Sequence, residues 1–247
     1  MKNRHRDDMR HFRKEVKKIV STYDYDTVPY DSLNNFPLNT NQCLYVANWN
    51  KEGIIYEKGL EALTGYTLEE FNTEDLVHYI HPEERELVKN LTQEVVKYVI
   101  TVDLRNAPAH LFLSFRFRKK DGRYIKILRQ SSSFELDVKG RMVSNFSLLT
   151  NISFIDSSNR VEWDFKANGL DEEAFKSIIY SVYRNFFTSR EKEIIILIDK
   201  GLTNDSIAAQ LFISKHTVAT HRKKIFKKSG VNSATGLVEF CKKNGII

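Results

Sequence analysis

The chain has 247 residues, of which 28% are charged and 41% hydrophobic, the make-up of a folded, water-soluble protein of about two domains rather than a disordered or fibrous one. No apolar run approaches the roughly 20 residues that span a bilayer. Residues 1–8 lead into no apolar stretch, so neither a membrane partner nor a secretory leader is expected, and the cytoplasm is the expected compartment.

Charge is unevenly placed. Residues 185–247 carry 11 Lys and Arg against 5 Asp and Glu, residues 1–20 carry 8 against 3, and residues 21–184 carry 19 against 24. A neutral-to-acidic body with a basic C-terminal module is the distribution of a phosphate-binding module attached to something else. The two cysteines, Cys43 and Cys241, have no CxxC or Cys/His spacing and read as inert thiols rather than a disulfide or a zinc site.

In chain order, residues 1–23 predict a helix, with Met9, Phe12, Val16, Ile19 and Tyr23 at helical spacing and cations between them. The plainer reading is a helix that packs on the next domain; the sharper one is a basic arm that meets DNA or a membrane. Residues 24–41, with Pro29, Pro37 and several Asn and Asp, read as irregular chain. Two strands follow over 42–58, turning at Asn50–Gly53, where Gly53 is expected to supply a positive φ. Short helices are expected around Gly59–Leu63, Leu68–Phe71 and Glu74–Tyr79, and a longer one from Glu83 to Tyr98 with Pro82 at its first turn.

The period then changes to two. Leu111, Leu113, Phe115 and Phe117 alternate with Phe112, Ser114, Arg116 and Arg118. Turns at Asp121-Gly122 and Lys139-Gly140 lead to Tyr124–Phe134 and Met142–Phe154, a three-stranded meander. Asp156–Asn159 is read as opening one more hairpin into Val161–Phe165.

Two strands, small helices, a longer helix and three strands, in that order, resemble a PAS domain. Three sequence words carry the resemblance: Leu63-Thr64-Gly65-Tyr66 with Glu69-Glu70-Phe71, then Ile80-His81-Pro82-Glu83-Glu84, then Arg116 with Lys120-Asp121-Gly122 and Tyr124. The expected layout is an N-terminal helix and irregular segment over 1–40, a PAS-like domain over 41–166, a linker helix over 167–186 and a basic module over 187–247. Asp171 is a candidate cap for the linker helix, whose apolar stripe is Phe175, Ile178, Ile179, Val182 and Tyr183.

In the basic module Thr188-Ser189-Arg190-Glu191 reads as a capping box. It opens a helix to Lys200, with Ile194, Ile195 and Ile198 inward and Gly201 as its stop. Thr203 caps a short helix with Ile207, Ala208 and Leu211 inward. Phe212-Ile213 makes the turn, and Ser214 caps the next helix, in which Val218, His221 and Ile225 share one face. Gly230 ends it, and a fourth helix from Ser233 to Lys243 turns Leu237, Phe240 and Cys241 inward.

This segment resembles the LuxR/GerE-type helix-turn-helix of bacterial transcription regulators. The matching residues are Phe187-Thr188, Arg190-Glu191, Glu193-Ile194-Ile195, Gly201-Leu202-Thr203-Asn204, Ile207-Ala208, Leu211, Ile213-Ser214, Thr217-Val218, His221, Ile225 and Lys228. Phe187 replaces the usual Leu, Ser229 stands where a buried Leu is usual, and Ala219 stands where many members carry Lys.

The resemblance implies an α+β protein: an antiparallel sheet with flanking helices, then an all-α four-helix domain. It also implies double-stranded DNA as partner, with the helix at 215–228 in the major groove. Thr220 and Lys223 are the candidates for base edges, with Ala219 beside them to meet a thymine methyl. Lys215, Thr217, Arg222, Lys224, Lys227 and Thr203 are the candidates for phosphates. His221 reads as an interior spacer.

No Walker loop, GxSxG, HExxH or dinucleotide fingerprint is present, so no enzymatic activity is expected. His78 and His81 have the chemistry of haem ligands and Cys43 that of a flavin-reactive thiol. But His81-Pro82 already reads as a turn, and Cys43 falls on the first strand, before the helical region where such a thiol is expected; no cofactor or metal is expected. The implied function is a homodimeric regulator whose PAS-like domain senses a ligand of unknown identity. The alternatives are a PAS-like domain that only dimerises and a sigma-factor-like promoter reader in contact with RNA polymerase.

Overall fold

In the computed structural model the described residues are 2–51, 53–71, 76–156, 158, 160–181, 186–243 and 246–247, the side chains of 2–7 and 243 apart. By their internal contacts they form two units, residues 1–157 with 161–171 and residues 158–160 with 172–247. No helix among the described residues is long and apolar enough to cross a membrane.

The first unit opens with helix α1 (Lys2–Val20). It buries Met9, Phe12, Val16 and Val20, and Tyr23 beyond its end is buried too. Ile19, expected on that face, is exposed. At about 100° per residue Ile19 falls roughly 60° from the mean direction of the buried residues, further than any of them, and so at the edge of the stripe. Tyr23 fixes the exit: its hydroxyl donates to the Ile100 carbonyl at 2.5 Å, and the Arg141 guanidinium lies 3.7 Å from its ring centroid. Of the two readings of this segment, the helix packed on its own domain is the one observed.

Strands β1 (Gln42–Asn48) and β2 (Gly53–Lys58) pair antiparallel with a bulge after Val46. Gly53 does not take the positive φ expected of it. The turn is closed instead by Asn48, whose side-chain oxygen accepts from the Asn50 and Lys51 N–H groups at 2.9 Å each, an Asx turn. Left-handed backbone is required at Gly59 (φ 85°), where a Cβ would stand 2.6 Å from the Gln42 carbonyl.

Helices α2 (Leu60–Thr64), α3 (Leu76–Tyr79) and α4 (Arg85–Val99) follow. The helix expected at Leu68–Phe71 is only a turn, held by the Phe71 N–H on the Thr67 carbonyl, and Glu74 lies outside the described residues.

The remaining strands are β3 (His110–Arg118), β4 (Tyr124–Ser133), β5 (Ser144–Asn151) and β6 (Glu162–Lys166), in a six-stranded sheet of order β2-β1-β5-β4-β3-β6. The meander β3-β4-β5 is as expected. The last hairpin is not: β6 pairs with β3 rather than β5. The free side of β5 is already taken by β1, so the returning strand finds its partner at the β3 edge. Leu111, Leu113, Phe115 and Phe117 are buried as their alternation requires. Ser114, on the other face, is buried as well, because β6 crosses it and the Glu162 N–H donates to its hydroxyl.

The three sequence words of this unit meet in space. Lys120 donates its backbone N–H to Thr64 and its ammonium to Glu70 at 2.6 Å, so the first word ties to the third. Arg116 donates its backbone N–H and its Nε to the buried Glu84 carboxylate, both at 2.6 Å, and an Nη to Glu83 at 3.1 Å, so the second ties to the third. His81 belongs to this junction: its N–H donates to the Arg116 carbonyl and its ring packs on Tyr124. Burial, with the Arg116 charge nearby, holds its imidazole below the usual value.

The second unit holds α5 (Glu172–Tyr180), α6 (Ser189–Asp199), α7 (Asn204–Leu211), α8 (Lys215–Ser229) and α9 (Ala234–Lys243). In α5, Phe175 and Ile179 are buried while Ile178, expected in the same stripe, is exposed; Val182 and Tyr183 lie outside the described residues. The core is Ile194, Ile195, Ile207, Val218, Ile225, Leu237 and Cys241, none with measurable exposure. Each such aliphatic side chain contributes about 1.5–3 kcal/mol relative to leaving it in water. Burial pushes the thiols of Cys241 and Cys43 up to about 12, so neither is a nucleophile near neutral pH.

Candidate nucleic-acid interface

The start of α6 is fixed by the capping box read from the sequence. Thr188 Oγ1 accepts from the Glu191 N–H at 3.2 Å, and the Glu191 carboxylate accepts from the Thr188 N–H at 2.9 Å. Glu191 is buried and also receives the Lys228 ammonium at 2.6 Å, so one carboxylate ties the start of α6 to the end of α8. Burial pushes its pKa up, but the Lys228 and Thr188 hydrogen bonds outweigh that and hold it below the usual 4.5.

Helix α7 is capped by Thr203, whose Oγ1 accepts from the Ser206 N–H, and α8 by Ser214, whose Oγ accepts from the Thr217 N–H. Between them Phe212 takes a left-handed conformation (φ 53°, ψ 45°) with its side chain 95% exposed. The sharp turn lets the Ile213 N–H reach the Ala208 carbonyl at 3.0 Å, while Arg190 donates to the Leu211 carbonyl at 2.8 Å. These bonds satisfy groups that the end of α7 would otherwise leave open.

Helix α8 contains no acidic residue. Val218 and Ile225 face inward with His221 between them, half-buried, its Nδ1 without a hydrogen-bond partner among the described residues. On the opposite side Thr220, Lys223 and Lys227 fall in one exposed row, with Ala219 exposed beside them. His216 begins the same row and is exposed. It was not among the residues singled out from the sequence, although its spacing of four from Thr220 and seven from Lys223 is the signal that places it there.

The candidate phosphate contacts are less uniform. Lys224 is exposed, and Arg222 is half-buried with its guanidinium 5.7 Å from the Phe226 ring centroid. The Thr217 hydroxyl is shared with Ser214 at 2.8 Å, and Thr203's with Ser206 at 3.0 Å. Lys215 is paired with Asp205 at 2.8 Å, both side chains largely exposed. Ser229 is buried, and its hydroxyl donates back to the Ile225 carbonyl at 2.9 Å, so the polar group placed where Leu is usual is satisfied within its own helix.

The first unit contributes a cavity of about 100 Å³ between the helix-facing side of its sheet and helices α1, α3 and α4. Tyr45, Phe115, Arg129, Ser131 and Asn145 line it from the strands, and Val88, Thr92 and Val96 from α4. A polar ladder crosses the sheet there: Trp49 Nε1 donates to Asn145 Oδ1 at 3.0 Å, Asn145 Nδ2 to Ser147 Oγ at 3.0 Å, and the Ser147 and Ser131 hydroxyls are 2.7 Å apart.

Residues 185–241 match the family model described as bacterial regulatory proteins of the luxR family, and residues 54–145 match the one described as the PAS fold. The response regulator Rre1 of Synechocystis sp. is 42% identical over 60 residues, 24% of this chain and 26% of that protein. The uncharacterized transcriptional regulatory protein YxjL of Bacillus subtilis is 41% identical over 61 residues, 25% of this chain and 28% of that protein. The chain thus spans about a quarter of the length of these relatives. Among solved structures, the N-terminal domain of a diguanylate cyclase with PAS/PAC sensor from Marinobacter aquaeolei is 22% identical, over 46% of this chain and 96% of that one, at a TM-score of 0.39. The phage VqmA-DPO complex is 15% identical, over 87% of this chain and 86% of that one, at a TM-score of 0.34. The chain thus carries, in this order, a segment at 54–145 that matches the PAS fold and a segment at 185–241 that matches the luxR family of bacterial regulatory proteins.

Proposed function

We propose that the protein is a cytoplasmic, non-enzymatic transcription regulator that binds double-stranded DNA as a homodimer and is controlled through its PAS-fold unit. The observation that carries this is the outward row of α8, His216, Thr220, Lys223 and Lys227, on a helix without a single carboxylate. Such a row laid along the floor of the major groove brings Thr220 and Lys223 to base edges, with Ala219 against a thymine methyl. Lys215, Thr217, Arg222, Lys224, Lys227 and the N-terminus of α7 at Thr203 flank it toward the phosphates. The cavity in the PAS fold supports a sensory role over one limited to dimerisation. Selection of bound duplexes from a random pool tests the reading. Two half-sites in two-fold symmetry, their centres about one helical turn or 10 bp apart, are expected, and a pool that enriches no sequence overturns it.

A further inference from the structure

We infer that the cavity of the PAS-fold unit takes a small organic anion, a short carbon body ending in one carboxylate, and that Arg129 holds the carboxylate. The inference rests on the sensory reading of that unit and gives its ligand a chemical class.

Three cations, Arg13, Lys89 and Arg129, line the cavity, and among the described residues no Asp or Glu does. Lys89 is already neutralised, 3.3 Å from both Asp8 and Glu86. Arg129 is not. It stands on β4 between Leu113 and Leu149 of the neighbouring strands, both buried, so its guanidinium emerges from an apolar row. Its Nε is shut off from solvent and has no hydrogen-bond partner among the described residues. One Nη reaches Thr92 Oγ1 at 3.5 Å, the outer limit of a hydrogen bond.

The other polar groups nearby do not answer this need. Asn145, Ser147 and Ser131 satisfy one another along the ladder that begins at Trp49. A guanidinium presents Nε–H and Nη–H side by side, in the geometry that a carboxylate meets with both oxygens. Arg129 is half-buried, and a charge whose Nε is shut off from solvent without such a partner costs the fold stability. The rest of the wall, Val88, Val96 and Phe115 among it, suits a carbon chain. A volume of about 100 Å³ is below the roughly 150 Å³ that holds a benzene ring. A molecule of on the order of six non-hydrogen atoms is therefore at the upper limit of what fits.

Butyrate is a probe of that size, and butyramide is its neutral counterpart. The full chain is melted with each, against sodium chloride at the same ionic strength. Butyrate is expected to raise the melting temperature saturably, and butyramide and chloride are not. Arg129→Met, which keeps the length of the side chain and removes its charge, is expected to melt higher than the native chain without any acid and to lose the butyrate response. Arg129→Lys keeps the charge without the paired donors and is expected to weaken the response at least several-fold. Equal shifts from butyrate and butyramide, no shift from butyrate or the shorter propionate, or an undiminished butyrate response in both variants overturns the assignment. DNA affinity is measured on the same samples. A saturable, Arg129-dependent butyrate shift that leaves DNA affinity unchanged upholds the cavity assignment and removes the sensory reading instead.

Discussion

At the scale of single residues, Asp205 engages one of the proposed phosphate contacts, Lys215. It pairs with Lys215 at 2.8 Å across the turn, with both side chains about two-thirds exposed, so the pair adds little stability. It also places a negative charge in the first turn of α7, beside the proposed phosphate contact at Thr203. Asp205→Asn is expected to tighten binding several-fold to specific and random duplexes alike and to steepen the salt dependence by about one unit of slope. Fluorescence anisotropy on the two duplexes measures both effects; unchanged affinity places Lys215 away from the backbone. Lys223 and Lys227 share the outward row and are assigned different partners. Lys223→Ala is expected to lose about 1–3 kcal/mol on the selected site and to blur its sequence preference. Lys227→Ala is expected to weaken all duplexes equally, and the same pattern in both variants refutes that division. Most of these side chains were legible in the sequence, because the phase of Val218 and Ile225 fixes the outward face of α8. The Asp205 pair was not, since it joins two helices across a turn whose angle depends on the left-handed backbone of Phe212.

At the scale of elements, the helical unit was legible because its boundaries are local chemistry. Thr188, Thr203 and Ser214 cap the helices that follow them, and Gly201 and Gly230 take positive φ at their ends. The sheet was legible strand by strand, but the place of β6 was not. Its own residues carry no mark of the β3 edge; the pairing depends on β1 having already occupied β5. The same contrast separates Thr188 from Glu191. Thr188→Ala removes a cap and is expected to cost about 1 kcal/mol. Glu191 adds a long-range bond to Lys228, and its carboxyl is held below the usual 4.5. A lowered folded-state pKa means stability that is fully present above the unfolded value and lost as the pH falls through the folded one. Thermal melts of the full chain are therefore expected to show the helical unit losing stability below about pH 4.5. Glu191→Gln is expected to be less stable at neutral pH and to flatten that decline. A decline as steep in Glu191→Gln as in the native chain assigns it to other carboxylates.

At the scale of the whole molecule, the two units differ in the sign of their charge and in how far the sequence revealed them. The cavity was not legible. Its wall draws on α1, α3, α4 and all six strands, and the environment of Arg129 is set by Leu113 and Leu149, far from it in the chain. The charge asymmetry was legible by counting, and it has a thermodynamic consequence. The first unit carries 24 Lys and Arg against 25 Asp and Glu, while the second carries 14 against 7. The counterions released on binding should therefore come from the face of α8 and its flanks. If about five phosphates are neutralised by each protomer, log K falls with log salt at a slope of roughly −4 to −5 for one protomer and about −9 for two. Titrating the full chain on its selected duplex over a range of salt, with the stoichiometry determined in parallel, reads both quantities. A slope near −9 with two chains per duplex is the result expected of a homodimer on a two-fold site. A slope near −4.5 with one chain leaves the interface and removes the dimer. A slope shallower than about −2 means that most of these cations stay solvated, and the proposed rim of phosphate contacts falls with it.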